Sequence, residues 1–123
     1  MAGSAMTFTE ITHGTIKKIK AEWTADSATG AVNGTTTNQY DGRIIGAITV
    51  PGTGGDAPDP NYGIAVNDSD GVDVALNALL NRHTSNTEYV AEASMAGVAH
   101  SKLTIAVTAA GNSNKGTLYL FIR

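Results

Sequence analysis

The chain has no cysteine among its 123 residues. Disulfide scaffolds, thiolate metal sites and cysteine nucleophiles are therefore excluded, and the fold does not depend on an oxidising compartment. Charge is also scarce: Asp, Glu, Lys and Arg make up 15% of the residues, against a usual ~25% in globular domains. Aromatics are only 6%. No stretch approaches the ~18 consecutive apolar residues of a membrane-spanning helix. Met1 to Met6 lacks the basic start and apolar run of a secretion signal. Gly3-Ser4-Ala5-Met6 reads equally as a cloning scar or as a natural flexible start.

What fills the space is small and neutral: sixteen threonines, nine asparagines and fourteen glycines. A cytosolic monomer normally keeps a more charged surface for solubility, so a threonine-rich one suits a chain covered by neighbours, or a secreted one. The net charge of −3 argues against nucleic acid as a direct partner, because phosphate binding needs a basic face. Lys17, Lys18 and Lys20 form the one basic cluster, which reads as a solvated or interface edge. With 41% hydrophobic residues, a chain of this size buries roughly two thirds of its extended surface. That is sufficient for one core and one domain.

The apolar pattern repeats with period two, which specifies strands. Ile19, Ala21 and Trp23 alternate with Lys18, Lys20 and Glu22, and Trp23 is the largest core candidate. Residues 26–34 read as a loop ending in the Asn33-Gly34 turn signal, and 35–40 as extended. Arg43 to Val50 is β-branched on both faces and so predicts a central strand, ended by Pro51. A Gly/Pro loop follows to Pro60. Tyr62, Ile64 and Val66 predict the next strand, Asp68 to Gly71 a hairpin turn, and Val72 to Val74 the returning strand. Ala75 to Asn81 has local helical spacing and predicts the one short helix. Thr87 to Glu92 reads as a strand and Met95 to His100 as a connection. Leu103, Ile105 and Val107 predict a strand, as do Leu118, Leu120 and Ile122 in a terminal strand tied into the sheet. The expectation is an all-β, antiparallel sandwich or small barrel of seven or eight strands.

Before it, residues 1–14 read as an N-terminal arm. Thr7 to Ile11 alternate like a strand and precede His13-Gly14, a candidate hinge. Phe8 and Ile11 would anchor such an arm on a neighbouring subunit, with His13 beside them; a first strand of the chain's own sandwich is the other reading.

Motifs with chemistry are weak. Asp68-X-Asp70-Gly71-X-Asp73 opens like a calcium loop, but position twelve is Leu79 where a bidentate Glu is required. Aspartates bonding local amides are the simpler reading. His13, His83 and His100 are scattered without metal spacing; one of them can pair with Glu88 or Asp73. Ser69, Ser85, Ser94 and Ser101 lack a nucleophile-elbow setting. Gly52, Gly54 and Gly55 precede a Pro/Asp loop and not a helix, so they form no phosphate cradle. The sequons at Asn33 and Asn67 read as turns. No catalytic residue, cofactor or metal is assigned, and the chain is not expected to be an enzyme.

The order of landmarks is more informative. Thr15-Ile16-Lys17-Lys18-Ile19 leads to Glu22-Trp23-Thr24, a Gly/Ala loop and Gly34-Thr35-Thr36. Tyr40-Asp41-Gly42-Arg43-Ile44 and Asn61-Tyr62-Gly63-Ile64 follow, then Asp68 to Val74 and Asn81-Arg82. The chain closes with Gly111 to Gly116 and Leu118-Tyr119-Leu120-Phe121-Ile122-Arg123. Over residues 15–123 this resembles a family of small virion proteins of tailed bacteriophages and prophages, of the capsid decoration or cement type. The resemblance implies a structural protein made in the bacterial host cytoplasm and carried on the virion. It would sit on the outer capsid surface as a homo-oligomer, a trimer being favoured, and bind the major capsid protein. It implies no membrane partner. Two alternatives accompany it: a tail or head–tail junction subunit, and a carbohydrate-binding sandwich. The last would need Tyr40, Tyr62, Tyr89 and Tyr119 exposed and coplanar.

Overall fold

The computed structural model describes residues 5–123, and the first four residues of the anticipated arm lie outside it. Among the described residues nine strands form two antiparallel sheets, so the chain is an all-β sandwich. They are β1 (Ala5–His13), β2 (Ile16–Thr24), β3 (Val32–Thr35), β4 (Tyr40–Pro51), β5 (Gly63–Asn67), β6 (Glu88–Ala91), β7 (Gly97–Ser101), β8 (Thr104–Thr108) and β9 (Lys115–Ile122). The larger sheet has the order β1-β2-β9-β4-β6, with β7 pairing the first part of β4. The smaller has the order β3-β8-β5.

Period two sets which side chains meet. On the larger sheet Ile19, Ala21 and Trp23 of β2, Leu118, Leu120 and Ile122 of β9, and Ile44 and Ala47 of β4 are buried. They face Ile64 and Val66 of β5 and Ile105 and Val107 of β8, also buried. Trp23 meets Tyr62, just ahead of β5, with ring centroids 5.5 Å apart. Trp23 stands opposite Gly116 in the register, and a Cβ on that glycine would lie 2.4 Å from the indole. The indole therefore takes the volume that a side chain at 116 would fill. β4 is internal, paired with β9 on one side and with β7 and β6 in succession on the other. β9 lies between β2 and β4, as the apolar character of both its faces predicts, and Arg43 and Arg123 exchange backbone bonds at its end.

Several local expectations are corrected. Residues 75–81 make no helix but successive tight turns, because Leu76, Asn77 and Asn81 take positive φ values of 53°, 63° and 56°, which a right-handed helix does not tolerate. Val72 to Val74 gives a single bridge, Asn67 with Asp73, and no strand. Asn33-Gly34 is not a turn but part of β3. Phe8 and Met6 come within about 3 Å of where a Gly34 Cβ would stand, and close approach is a common reason for glycine in a strand. Met95 to His100 largely becomes β7. Gly14 is no hinge: Gly14-Thr15 is the two-residue loop of the β1–β2 hairpin, and Gly14 has the positive φ (63°) that a type II′ loop needs in its first position.

Candidate functional site

The segment anticipated as an arm is the edge strand of the chain's own sheet. β1 pairs with β2 along its whole length, from Ala5 with Thr24 to His13 with Ile16. Of the three anticipated contact residues, Phe8 points inward and packs on the core, whereas Ile11 and His13 are exposed. Glu10 also points inward and fastens the strand to the second sheet's side. Its carboxylate accepts the Thr37 amide (2.9 Å), the Asn38 amide (3.1 Å) and the Tyr40 hydroxyl (2.6 Å). Partial burial by itself raises the Glu10 pKa, but the hydrogen bonds from Tyr40, Thr37 and Asn38 together hold it below the usual carboxylate value. Burial, and then the Glu10 bond and charge, push the Tyr40 hydroxyl well above its ordinary range.

The far side of β1 pairs with no strand among the described residues, although β3 lies against Met6 and Phe8 at Gly34. His13 and Ile16 close the hairpin and exchange both backbone bonds, and the ladder alternates from there. The amides and carbonyls of Met6, Phe8, Glu10 and Thr12 therefore point away from β2, and none has a backbone partner among the described residues. The exposed residues of this strand are Ala5, Thr7, Thr9, Ile11, Thr12 and His13, without lysine or proline. Natural edge strands are commonly blunted by lysine, proline, a bulge or an inward-pointing charge, and of these β1 has the inward charge of Glu10.

The outer face of the larger sheet continues from this edge. Tyr119 of β9, Ile48 of β4 and Tyr89 of β6 stand in one cross-strand row. Lys18 and Lys20 place their ammonium groups 5.2 and 6.0 Å from the Tyr119 ring centroid, within cation–π range. Tyr89 lies over Gly46, where a Cβ would meet its hydroxyl at 2.8 Å, and is 64% exposed. At the end of this face a hollow of about 450 Å³ is lined by Thr7, Glu22, Thr24, Asp56, Lys115 and Thr117 among others. It is open and of mixed charge, with no convergent set of donors.

The remaining candidates resolve into structural roles. Asp68 accepts the Asp70 and Val72 amides, and Asp73 accepts those of Val66, Ala75 and Asn77. These carboxylates hold the chain's own turns, as the local reading expects. His83 Nδ1 accepts the Ser85 and Asn86 amides, while it is the His83 backbone amide that bonds Glu88. Among the described residues no three His, Cys, Asp or Glu side chains converge as a metal site. Tyr40 and Tyr62 are buried, which removes two of the four rings that sugar stacking required.

From Ile44 to Asn81 there are five aspartates and no lysine, arginine or histidine, so this one segment is more acidic than the whole chain. Within it Val72, Leu76 and Leu80 are exposed.

Comparison with family models, with curated proteins and with solved structures found no match for this chain.

Proposed function

We propose that this protein is a structural subunit of a phage particle that works by binding other protein chains and catalyses nothing. On this reading it decorates the outer capsid surface and binds major capsid subunits. The observation that carries the reading is the open β1 edge. A nine-residue strand with an unpaired ladder and no charged side chain on its outward face is a template for pairing, and it favours an assembly in which another chain covers it. Strand addition supplies main-chain bonds along the edge, and the alternate side chains supply selectivity. The sparse surface charge and the virion-protein resemblance over residues 15–123 support the same conclusion. A subunit present in several copies per site gains further through effective concentration.

Co-sedimentation of the purified protein with expanded and unexpanded shells of a major capsid protein tests this reading. Binding to expanded shells alone is expected. Thr12→Pro is the diagnostic variant, because its lost amide faces outward and the β1–β2 ladder stays intact. It is expected to fold and to bind shells at least about tenfold more weakly, the loss that ~1.4 kcal/mol of edge pairing represents. Thr9→Lys with Ile11→Lys, which blunts the same edge by charge, serves if the proline variant does not fold. Undiminished shell binding by a folded edge variant removes the edge from the mechanism. Absence of any shell binding by the unaltered protein removes the capsid assignment, and a tube in solution would point to the tail.

A further inference from the structure

The large apolar side chains that remain exposed fall into two sets of opposite electrical character. Ile11 and Tyr89 lie on the outer face of the larger sheet, where Tyr119, Ile48 and Phe121 are half-buried and Lys18 and Lys20 stand over the Tyr119 ring. Val72, Leu76 and Leu80 lie on residues 68–80 of the turn-rich segment between β5 and β6, together with Asp68, Asp70 and Asp73; the first basic residue, Arg82, follows Leu80 and bonds its carbonyl. One surface is aromatic and carries two lysines against one carboxylate, Glu22, which lies 3.9 Å from Lys20; the other is aliphatic and anionic.

Leu76 adds an independent indication. It is 55% exposed and has a φ of 53°, a left-handed conformation that Asn and Gly adopt readily and leucine does not. Solvation and backbone strain both disfavour leucine there in an isolated chain. A residue kept against both is accounted for when something covers it.

We infer that copies of this chain associate head to tail, the acidic segment 68–80 of one seated on the lysine-rimmed aromatic face of the next. Such a contact is heterologous, using two different patches, so it closes into a ring when the rotation between copies allows. The aliphatic side chains would pack on Tyr89, Ile48 and Tyr119, and Asp70, whose carboxylate has no bond within the described chain, would meet Lys18 and Lys20. Charge pairs at the rim set register and raise the association rate. This contact needs no shell, so its failure would leave the capsid reading standing, and the converse holds.

Sedimentation velocity across a protein concentration series tests it, with two variants. Leu76→Asn disables the segment and relieves the backbone, so it should unfold at or above the temperature of the unaltered protein. Lys18→Glu with Lys20→Glu disables the face; Lys18→Gln with Lys20→Gln substitutes if three glutamates on one strand face prevent folding. The unaltered protein should form oligomers whose dissociation constant rises at least about tenfold when salt screens the pairs beyond ~3 Å. Each variant alone should stay monomeric. Mixed in equal amounts they should form dimers and nothing larger, since one intact face then meets one intact segment. A monomeric unaltered protein overturns the inference, and so does a mixture that stays monomeric. Normal oligomers of folded Leu76→Asn also overturn it, because a face-to-face dimer would be indifferent to that residue.

Discussion

The two faces of the six-stranded sheet use the same device with opposite consequences. On the inner face Trp23 lies over Gly116, and on the outer face Tyr89 lies over Gly46. Both glycines leave room for a ring. Trp23 is 2% exposed and fixed against Tyr62, whereas Tyr89 has solvent into which it can swing. A glycine beneath an aromatic ring is thus indispensable to the degree that the ring is held. On the inner face that geometry maintains the core; on the outer face it presents an aromatic side chain to whatever binds.

The sharpest way to break this symmetry is Gly116→Ala. Overpacking of a confined core costs up to about 3 kcal/mol, and a loss of that size lowers the melting temperature by about 10 °C in a domain of this length. Calorimetry should read it. The same alanine at Gly46 should cost less than about 1 kcal/mol, since only the far end of an exposed side chain must move; equal losses at the two glycines would refute the comparison.

Between these extremes lies Glu10, which joins an exposed strand to the interior. Glu10→Ala should cost about 1–2 kcal/mol, because three donors lose a charged acceptor at a partly exposed site. The pH dependence follows from the direction of the shifts. Glu10 has a lowered pKa in the fold, so its contribution is complete above the unfolded carboxylate value of ~4.3 and is lost as pH falls through the lower folded value. Tyr40 is raised in the fold, so its contribution is complete below ~10 and is lost as pH rises beyond that. Denaturant titrations from acid to alkaline pH should show a plateau with a shoulder at each end, and Glu10→Ala should abolish the acid shoulder. The smallest effect belongs to Tyr89→Ser, expected within about 0.5 kcal/mol in folding stability while weakening association between copies.

The strands with a buried face were legible because period two is a direct record of burial. Ile19, Ala21 and Trp23, and Leu118, Leu120 and Ile122, occupy the inward positions that their alternation predicts. What escaped sequence reading depends on one local capture of backbone amides and, elsewhere, on contacts between distant segments. The spacing of Ala75 to Asn81 suits a helix, but the Asp73 carboxylate captures the amides of Ala75 and Asn77 and the backbone turns left-handed. Asn33-Gly34 is a turn signal that β1 overrides by packing on Gly34. The placement of β1 was open because edge strand and arm share one pattern; the pairing with β2, the packing of Phe8 on the core and the Glu10 bonds to residues 37, 38 and 40 distinguish them. The candidate surfaces were half legible: the lysines and the weak charge were visible, while the aspartate segregation over 44–81 was in plain sight and needed only to be counted by segment.

The insertion of β9 between β2 and β4 has a kinetic consequence. β2 and β4 are near in sequence yet never pair, and each must wait for a strand from the opposite end of the chain; Ile19 and Thr49 find Leu120 and Leu118 there. Until β9 arrives, β2 and β4 each keep a vacant flank. So non-local a topology places folding in the millisecond-to-second regime of sandwiches, and the intervening species carry the greatest risk of aggregation.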